Sequence, residues 1–318
     1  SSSSSSSSSS GVLQNVAPIS VDGATMYIQR NGKQVREFIF TYTEASYVSS
    51  EVNLLAPHIT NAPVAMASQT GDVDNEGNYL FVVNGDGTMG VFITNRAEKV
   101  MAWTKFTTAG DILDVAVVED VVYLFVRRTW GGSTKNFIEA LDNQNFTDCS
   151  TRFTQSSSAT VTGLNHLDGK ECRFRANSLA TAGGGKTNTV MANVTPSSGS
   201  IVANRVVTDV EVGINFDVTI KTMPASVTMD TGPVSVKKRR ISRVSAQLHK
   251  SSGLKINGKA VPTKQLGANI LGQAPEVFTG IKTLPILGYS KTAQVTITQT
   301  DPLPLTLLGL TVELQVTG

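Results

Sequence analysis

Gly185, Lys186 and Thr187 have the spacing closest to phosphate chemistry, because they match the end of a phosphate-binding loop. Such a loop needs another glycine five positions before its last one, where the backbone must approach the phosphates closely. Ala180 stands at that position, and no apolar helix is predicted after Thr187. The sequence therefore predicts no nucleotide site here.

Asp72, Asp74 and Glu76 begin like a calcium-binding loop, in which alternating side chains supply oxygen ligands. The twelfth position of such a loop should carry a bidentate carboxylate, but Val83 occupies it. We interpret this segment as a polar loop between strands and predict no metal site.

Four further carboxylates lie close together in the sequence: Asp111, Asp114, Glu119 and Asp120. Glycoside hydrolysis needs two carboxylates that face each other across a cleft. These four accompany a predicted hairpin, so we interpret them as solvated turn residues.

Histidine and cysteine chemistry is equally unsupported. The three histidines, His58, His166 and His249, are far apart and lack metal-ligand spacing. The two cysteines, Cys149 and Cys172, are interpreted as buried free thiols, with a disulfide as the alternative. We therefore predict that the chain is not an enzyme and uses no cofactor.

One segment concentrates charge, and we call Lys237–Arg243 the basic segment. Its cations are Lys237, Lys238, Arg239, Arg240 and Arg243. On a strand, alternation would place Lys238, Arg240 and Ser242 on one face, and Lys237, Arg239, Ile241 and Arg243 on the other. The segment either lines a channel that carries DNA or forms a solvated edge strand or subunit interface with salt bridges. We favour the second interpretation, because tight phosphate binding would stall DNA in transit.

Composition predicts an all-β protein, since Val and Thr are abundant and Leu-rich helical stretches are scarce. The length of 318 residues allows two or three domains, and a net charge of +2 argues against a nucleic-acid-binding polycation. No apolar run approaches the roughly 18–20 residues that a membrane-spanning helix needs.

Hairpin signals dominate the first half of the chain. Asn31-Gly32 predicts a type I′ turn between Met26–Arg30 and Val35–Tyr42, because both turn positions favour positive φ. Further strands are predicted at Tyr79–Val83, Met89–Ile93, Val100–Phe106, Ile112–Val118, Val121–Arg127 and Phe137–Leu141. Strand clusters that recur every roughly 40–50 residues favour propeller-like blades, with a sandwich as the alternative. One short helix is predicted from Ser49 to Ala56, with Pro57 as its stop.

The predicted domains begin after a run of ten serines, residues 1–10, which we interpret as a placeholder for residues of unknown identity or an artefact. Residues 11–154 form partial β-propeller-like blades, residues 155–234 a small inserted β domain and residues 235–318 a C-terminal β domain. The Ser-rich stretch at 154–159 is interpreted as a linker. The chain is expected to be a fragment whose missing part is N-terminal.

Three ordered sets of residues resemble one known family. The first is Val35–Phe40 followed by Leu54–Ile59. The second is Val83–Gly90, then Val100–Trp103 and Val122–Arg128. The third is Val161–Lys170, Arg240–Leu248 and Asp301–Thr306. Together they resemble the C-terminal half of the tail nozzle (tail tubular protein B) family of short-tailed bacteriophages, from about residue 11 to the end.

The resemblance implies a structural role in the virion tail. Members of that family form a homo-hexameric tube below the head–tail adaptor, hold tail fibres or spikes, and gate the exit of viral DNA at the host cell surface. It implies subunits with a β-propeller and further β domains, and no catalytic residues. The alternative is a receptor-binding or glycan-cleaving tail component.

Overall fold

The computed structural model describes residues 11–43, 45–71, 77–179, 189–190, 193–225, 228–229, 232–233, 239–263, 277–287 and 292–316. Strands make up 62% of the structure, no α-helix occurs in the described residues, and one of the several antiparallel sheets curls into a half-barrel. The predicted all-β class is confirmed. The chain divides into two compact units, Ser1–Asn143 and Gln144–Gly318.

The described residues of the first unit form three antiparallel sheets, each made of consecutive strands. The first sheet consists of β1 (Ile19–Val21), β2 (Ala24–Ile28), β3 (Val35–Thr41) and β4 (Ser46–Glu51). The second sheet consists of β5 (Pro63–Gln69), β6 (Asn78–Asn84), β7 (Met89–Asn95) and β8 (Val100–Phe106). The third sheet consists of β9 (Asp111–Val118), β10 (Val121–Trp130) and β11 (Ser133–Ala140), with β10 in the middle.

These three sheets stack face to face, with the second sheet in the middle. Leu80 and Val82 of β6 pack with Met26 and Ile28 of the first sheet in one apolar cluster. The intervening residue Phe81, with Val83, packs toward the third sheet. Because β6 is buried on both faces, its apolar run is continuous rather than alternating. Stacked antiparallel sheets of this kind are typical of propeller-like blades.

The Asn31-Gly32 turn differs from its predicted geometry. The Asn31-Gly32 hairpin forms, but only Gly32 has a positive φ, of 70°, so the turn is not type I′. The Asn31 side chain accepts the Lys33 backbone N–H at 3.0 Å instead. Other turns do have positive φ at both positions, among them Asp22-Gly23 between β1 and β2, at 48° and 75°, and Glu119-Asp120 between β9 and β10, at 49° and 63°.

The predicted helix over Ser49–Ala56 is wrong. Ser46–Glu51 is strand β4, which pairs antiparallel with β3 and places Tyr47 opposite Phe40. A short 3-10 helix, Pro57–Ile59, follows, so Pro57 opens a turn rather than closing a helix. Pairing with β3 overrides the local helical pattern, because Asn53, fully buried, accepts the Val35 N–H at 3.0 Å and holds the chain extended before the turn.

The second unit contains the remaining described strands. They are β12 (Asp148–Thr162), β13 (Arg173–Leu179), β14 (Thr189–Val190), β15 (Ser200–Ile214), β16 (Val218–Lys221), β17 (Thr228–Met229), β18 (Gly232–Pro233), β19 (Arg239–Ser251), β20 (Leu254–Ile256), β21 (Lys259–Ala260), β22 (Phe278–Pro285), β23 (Thr296–Gln299) and β24 (Thr306–Val316). A 3-10 helix spans Asn165–Leu167. The sheet orders are β12-β15-β13-β14, β16-β23-β20-β21, β22-β19-β24 and β17-β18. Buried residues of β19, β20, β22 and β23 form one shared core.

The Ser-rich stretch predicted as a linker is also wrong, because it lies inside β12. Its pairing with β15 is irregular between Thr154 and Ser158 and again between Ser158 and Thr160. Such irregularities tolerate small polar residues, because the strand bends and leaves residues out of the ladder. Within the described residues, no helix is long and apolar enough to cross a membrane.

Candidate subunit-contact surfaces

The basic segment does not form one cationic cluster in its described part. Lys237 and Lys238 lie outside the described residues. Arg239 begins β19, is only 4% exposed and donates a hydrogen bond to the Ala225 carbonyl oxygen. Arg240 is half-buried and pairs in register with Gln315 of β24. Arg239 therefore serves the fold of the second unit rather than a surface.

Arg243 lies on a different face from the one predicted. The register between β19 and β24 shifts between Ile241 and Arg243, so Ser242 is an extra residue. This bulge turns Arg243 outward while Ile241 and Arg239 stay buried. Arg243 forms an ion pair of 3.9 Å with Glu313, and the two side chains are 69% and 58% exposed. A pair this exposed contributes little to stability.

The exposed face of the sheet around β19 carries several polar residues and the exposed apolar residue Ile281, which lies across from Gln247. Ser245 and Thr283 share a hydrogen bond of 2.8 Å across β19 and β22. Gln247 and Thr311 are exposed on the same sheet. Of the basic segment, this face presents Arg243 with its partner Glu313, so its charge is balanced.

The other motifs with catalytic potential are separated or serve the fold. Asp111 accepts a hydrogen bond from Arg127 at 2.9 Å, and Asp114 binds the Val115 N–H at 2.8 Å. Both lie in β9 rather than in a turn, whereas Glu119 and Asp120 form the turn as predicted.

The histidines and cysteines are scattered. His166 hydrogen-bonds Thr151 at 3.1 Å, His58 lies in a 3-10 helix and His249 is exposed on β19. Cys149 and Cys172 form no disulfide with each other, and the first is half-buried and the second buried. Among the described residues, no group of three or more His, Cys, Asp or Glu could hold a metal. The calcium-like loop at 72–76 and the phosphate-loop motif at 185–187 lie outside the described residues.

The hairpin loop between β6 and β7 has a structural role. Asp86 accepts the Thr88 hydroxyl at 2.6 Å and the Asn61 amide at 3.2 Å. The hydrogen bond from the Thr88 hydroxyl lowers the pKa of Asp86 below its usual value. Buried Asn84 ties the same loop to the Ile59 carbonyl at 2.8 Å. The polar residues of this loop fix its shape rather than bind a ligand.

Two buried arginines stabilise sheets rather than form a catalytic site. Arg175 of β13 bonds Glu211 of β15 at 2.7 Å, and Glu211 is fully buried. The same carboxylate accepts the N–H groups of Phe146 and Thr147 at 2.7 and 2.8 Å. In the first unit, Arg128 of β10 binds both carboxylate oxygens of Glu139 at 2.7 and 2.6 Å.

The outer face of the first sheet is rich in exposed aromatic residues, and we call it the β3–β4 face. It carries Phe38, Phe40 and Tyr47, which are 40%, 40% and 64% exposed. Phe38 and Tyr47 stack at a centroid distance of 4.8 Å, and Phe40 meets Tyr47 edge-on at 5.2 Å. These rings lie opposite the face of β3 on which Val35 is buried.

The outer face of the third sheet mixes exposed apolar and charged residues, and we call it the β10–β11 face. Asp114 lies directly across from Phe125 on this face, next to the ion pair of Arg127 and Asp111. The face also carries Tyr123, Phe125 and Ile138, which are 37%, 38% and 77% exposed. Phe125 and Ile138 are direct cross-strand partners. Val122, Leu124 and Val126 of the same strand point the other way, into the core with the second sheet.

Neither face was predicted from the sequence, although β3 carries a signal for its own. In β3, apolar residues occupy both alternating sets, with Val35 and Ile39 on one face and Phe38 and Phe40 on the other. A strand that is apolar on both faces predicts cover on both sides.

No protein-family model matches this chain, and no curated protein is similar enough to it to count as a relative.

Proposed function

We propose that this chain is a structural subunit of a short-tailed bacteriophage tail nozzle, part of a homo-hexameric ring in the virion tail. The observation that carries the proposal is the pair of sheet faces, at the two ends of a stack of blades, that expose large apolar side chains. Monomeric proteins rarely expose large apolar patches, which usually mark interaction surfaces. The three ordered sets of residues resemble the nozzle family, and this resemblance is the reason why we propose a tail nozzle as the assembly.

The residues that carry the resemblance support a structural role. Trp103 donates its indole N–H to the Val52 carbonyl at 2.9 Å and packs on Phe92 at 4.9 Å. Arg128 is held by Glu139, and Asp301 accepts a hydrogen bond from Arg173 at 2.5 Å. Each of these residues holds strands or loops together.

In this proposal the partners are other copies of the chain, the head–tail adaptor, and tail fibres or spikes. Viral DNA passes transiently, and the host cell surface is met on ejection. The blades belong to a β-propeller, and the chain is not an enzyme. The pairing of Arg243 with Glu313 on the exposed face of β19 suits a wall that DNA passes without binding, because unpaired cations would hold its phosphates.

Imaging the purified chain tests the proposal. We expect negative-stain electron microscopy to reveal closed rings with six subunits and a central hole, and light scattering to give the matching mass. A trimer would favour a fibre or spike, and a monomer at every concentration would contradict the ring.

The basic segment provides a second arm of the test. We place it near a subunit boundary, so the double substitution Lys238→Ala and Arg240→Ala should weaken ring assembly more than DNA affinity. DNA binding that falls with salt and is lost in the double variant would move the segment to the channel wall.

A further inference from the structure

Charge is unevenly distributed along this chain. Residues 1–143, the first unit, contain nine Lys and Arg against 15 Asp and Glu, a net charge of −6. Residues 144–217 contain six of each and are neutral, whereas residues 218–318 contain 12 against four, a net charge of +8. The overall value of +2 therefore combines an acidic first unit with a strongly basic C-terminal part.

The basic part contains two packed sheets, and we call residues 218–318 the C-terminal sandwich. The sheet β16-β23-β20-β21 packs on the sheet β22-β19-β24, since Ile256 and Ile297 of the first share one core with Val244 and Leu248 of the second. The outer faces of these sheets therefore lie on opposite sides of the sandwich, and the outer face of β19 is the one with the balanced Arg243–Glu313 pair.

The outer face of the other sheet presents lysines, and we call it the lysine face. Lys255 is exposed between two buried neighbours on β20. It pairs in register with Thr298 of β23, which pairs in turn with Thr219 of β16. Lys221, two residues after Thr219, is exposed on the same face. The strands β16, β20, β21 and β23 contain no Asp or Glu, so their own residues do not balance this charge.

The lysines of this face are available, whereas two arginines of the sandwich are occupied. Arg239 is buried, and Arg243 is paired with Glu313. Among the described residues, Lys221 and Lys255 form no ion pair. An arginine grips a phosphate through two parallel hydrogen bonds, whereas a lysine is a hydrated point charge without a fixed contact geometry. The charge presented here therefore suits loose attraction to a row of phosphates.

We propose that the C-terminal sandwich contacts the phosphate backbone of duplex DNA through the lysine face. The inference rests on the proposed function for the identity of the polyanion, viral DNA in transit. Contacts between lysines and phosphates act by releasing counterions, read no sequence and let DNA slide. Binding of single strands by base stacking needs aromatic side chains, and the strands of this sheet contain none.

Fluorescence anisotropy of a labelled DNA duplex, titrated with the full chain at several salt concentrations, tests this. We expect affinity to fall with salt, and the double substitution Lys221→Gln and Lys255→Gln to reduce the slope of log affinity against log salt by about 2. Lys33→Gln with Lys135→Gln removes the same charge from exposed positions of the first unit and is the matched control, whose slope should stay that of the wild type.

Each remaining outcome decides the question. Equal slopes in the wild type and the Lys221/Lys255 variant, or equal reductions in both variants, would overturn the lysine face as the contact. If the Lys238→Ala and Arg240→Ala variant loses binding instead, the basic segment is the contact and the proposal is wrong. Circular dichroism checks the fold, and either glutamine substitution alone should reduce the slope by about 1.

The ring and the DNA contact can fail separately. If negative stain reveals rings but the chain binds no duplex at low salt, the lysine-face proposal fails while the nozzle proposal stands. If those rings also dissociate as salt rises, the basic charge serves contacts with the acidic first unit of a neighbour instead. If the chain is monomeric yet binds duplex through Lys221 and Lys255, the ring fails and the DNA contact stands.

Discussion

The two units of this chain build β-sheets by opposite rules. In the first unit every strand pairs with a neighbour in sequence, as in the order β5-β6-β7-β8. In the second unit the main sheets pair strands that are far apart, such as β19 with β24 and β16 with β23. Short-range pairing depends on turn residues, whereas long-range pairing depends on buried side chains that recognise one another. The two units should therefore fail in different ways when single residues are changed.

The largest loss of stability should follow substitution of Glu211 in the second unit. Glu211→Ala leaves Arg175 buried without its carboxylate, and breaking a buried ion pair in this way destabilises by about 3–5 kcal/mol. Urea unfolding should reveal a lower midpoint for the second unit and an unchanged one for the first. The control Glu313→Ala breaks the exposed Arg243 pair and should change stability by less than about 0.5 kcal/mol. Equal losses in both variants would contradict the role given to the buried pair.

A core substitution in the first unit should lower the free energy of unfolding slightly less than Glu211→Ala does in the second. Leu80 is fully buried in the middle sheet, so Leu80→Ala should destabilise that unit by about 3 kcal/mol. Val118→Ala, at a side chain 56% exposed, should stay within about 0.5 kcal/mol. The effects of both substitutions are measured from the urea midpoint of the first unit in the same experiment. If the second unit lost stability instead, the units would not unfold independently.

The turn between β2 and β3 should be the next most sensitive site. Gly32 has a φ of 70°, so Gly32→Val should destabilise the first unit by about 1–2 kcal/mol. Lys33→Val, one residue later and exposed, is the matched control and should change little. An unchanged melting temperature for Gly32→Val would mean that the hairpin does not depend on this turn.

The smallest effect should appear only in alkali. Burial raises the pKa of the Cys172 thiol to about 11. The folded state therefore binds this proton more tightly than the unfolded state, and its contribution is complete below pH 9 and lost as pH rises toward 11. Between pH 8 and pH 11, the melting temperature should fall less steeply with pH in Cys172→Ala than in Cys149→Ala. If the melting temperature fell equally steeply in both variants, Cys172 would not be the source of the pH dependence.

The sequence predicted the local part of this fold well. The strand flanking Asn31-Gly32 and the hairpins around Gly85–Gly87 and Glu119-Asp120 all form, because each depends on a few neighbouring residues. The helix over Ser49–Ala56 failed because Tyr47 and Val48 extend along β3, a contact that no local pattern encodes.

The surfaces were harder to predict than the strands. Strict alternation placed Arg243 with Arg239, and one extra residue at Ser242 reversed that assignment. Whether Phe38 and the side chains beside it are buried depends on what covers that face of the sheet, and strand periodicity alone does not reveal this. Lys237 and Lys238 keep their sequence-based interpretation as a prediction.

The opposite pairing rules also imply an order of events as the chain is made. Sheets of neighbouring strands close soon after each hairpin leaves the ribosome, and proteins rich in local contacts fold faster. β19 cannot complete both of its ladders until β24, the last strand among the described residues, is available. We expect the first unit to fold before β24 has been synthesised, and the second unit to complete its folding only afterwards.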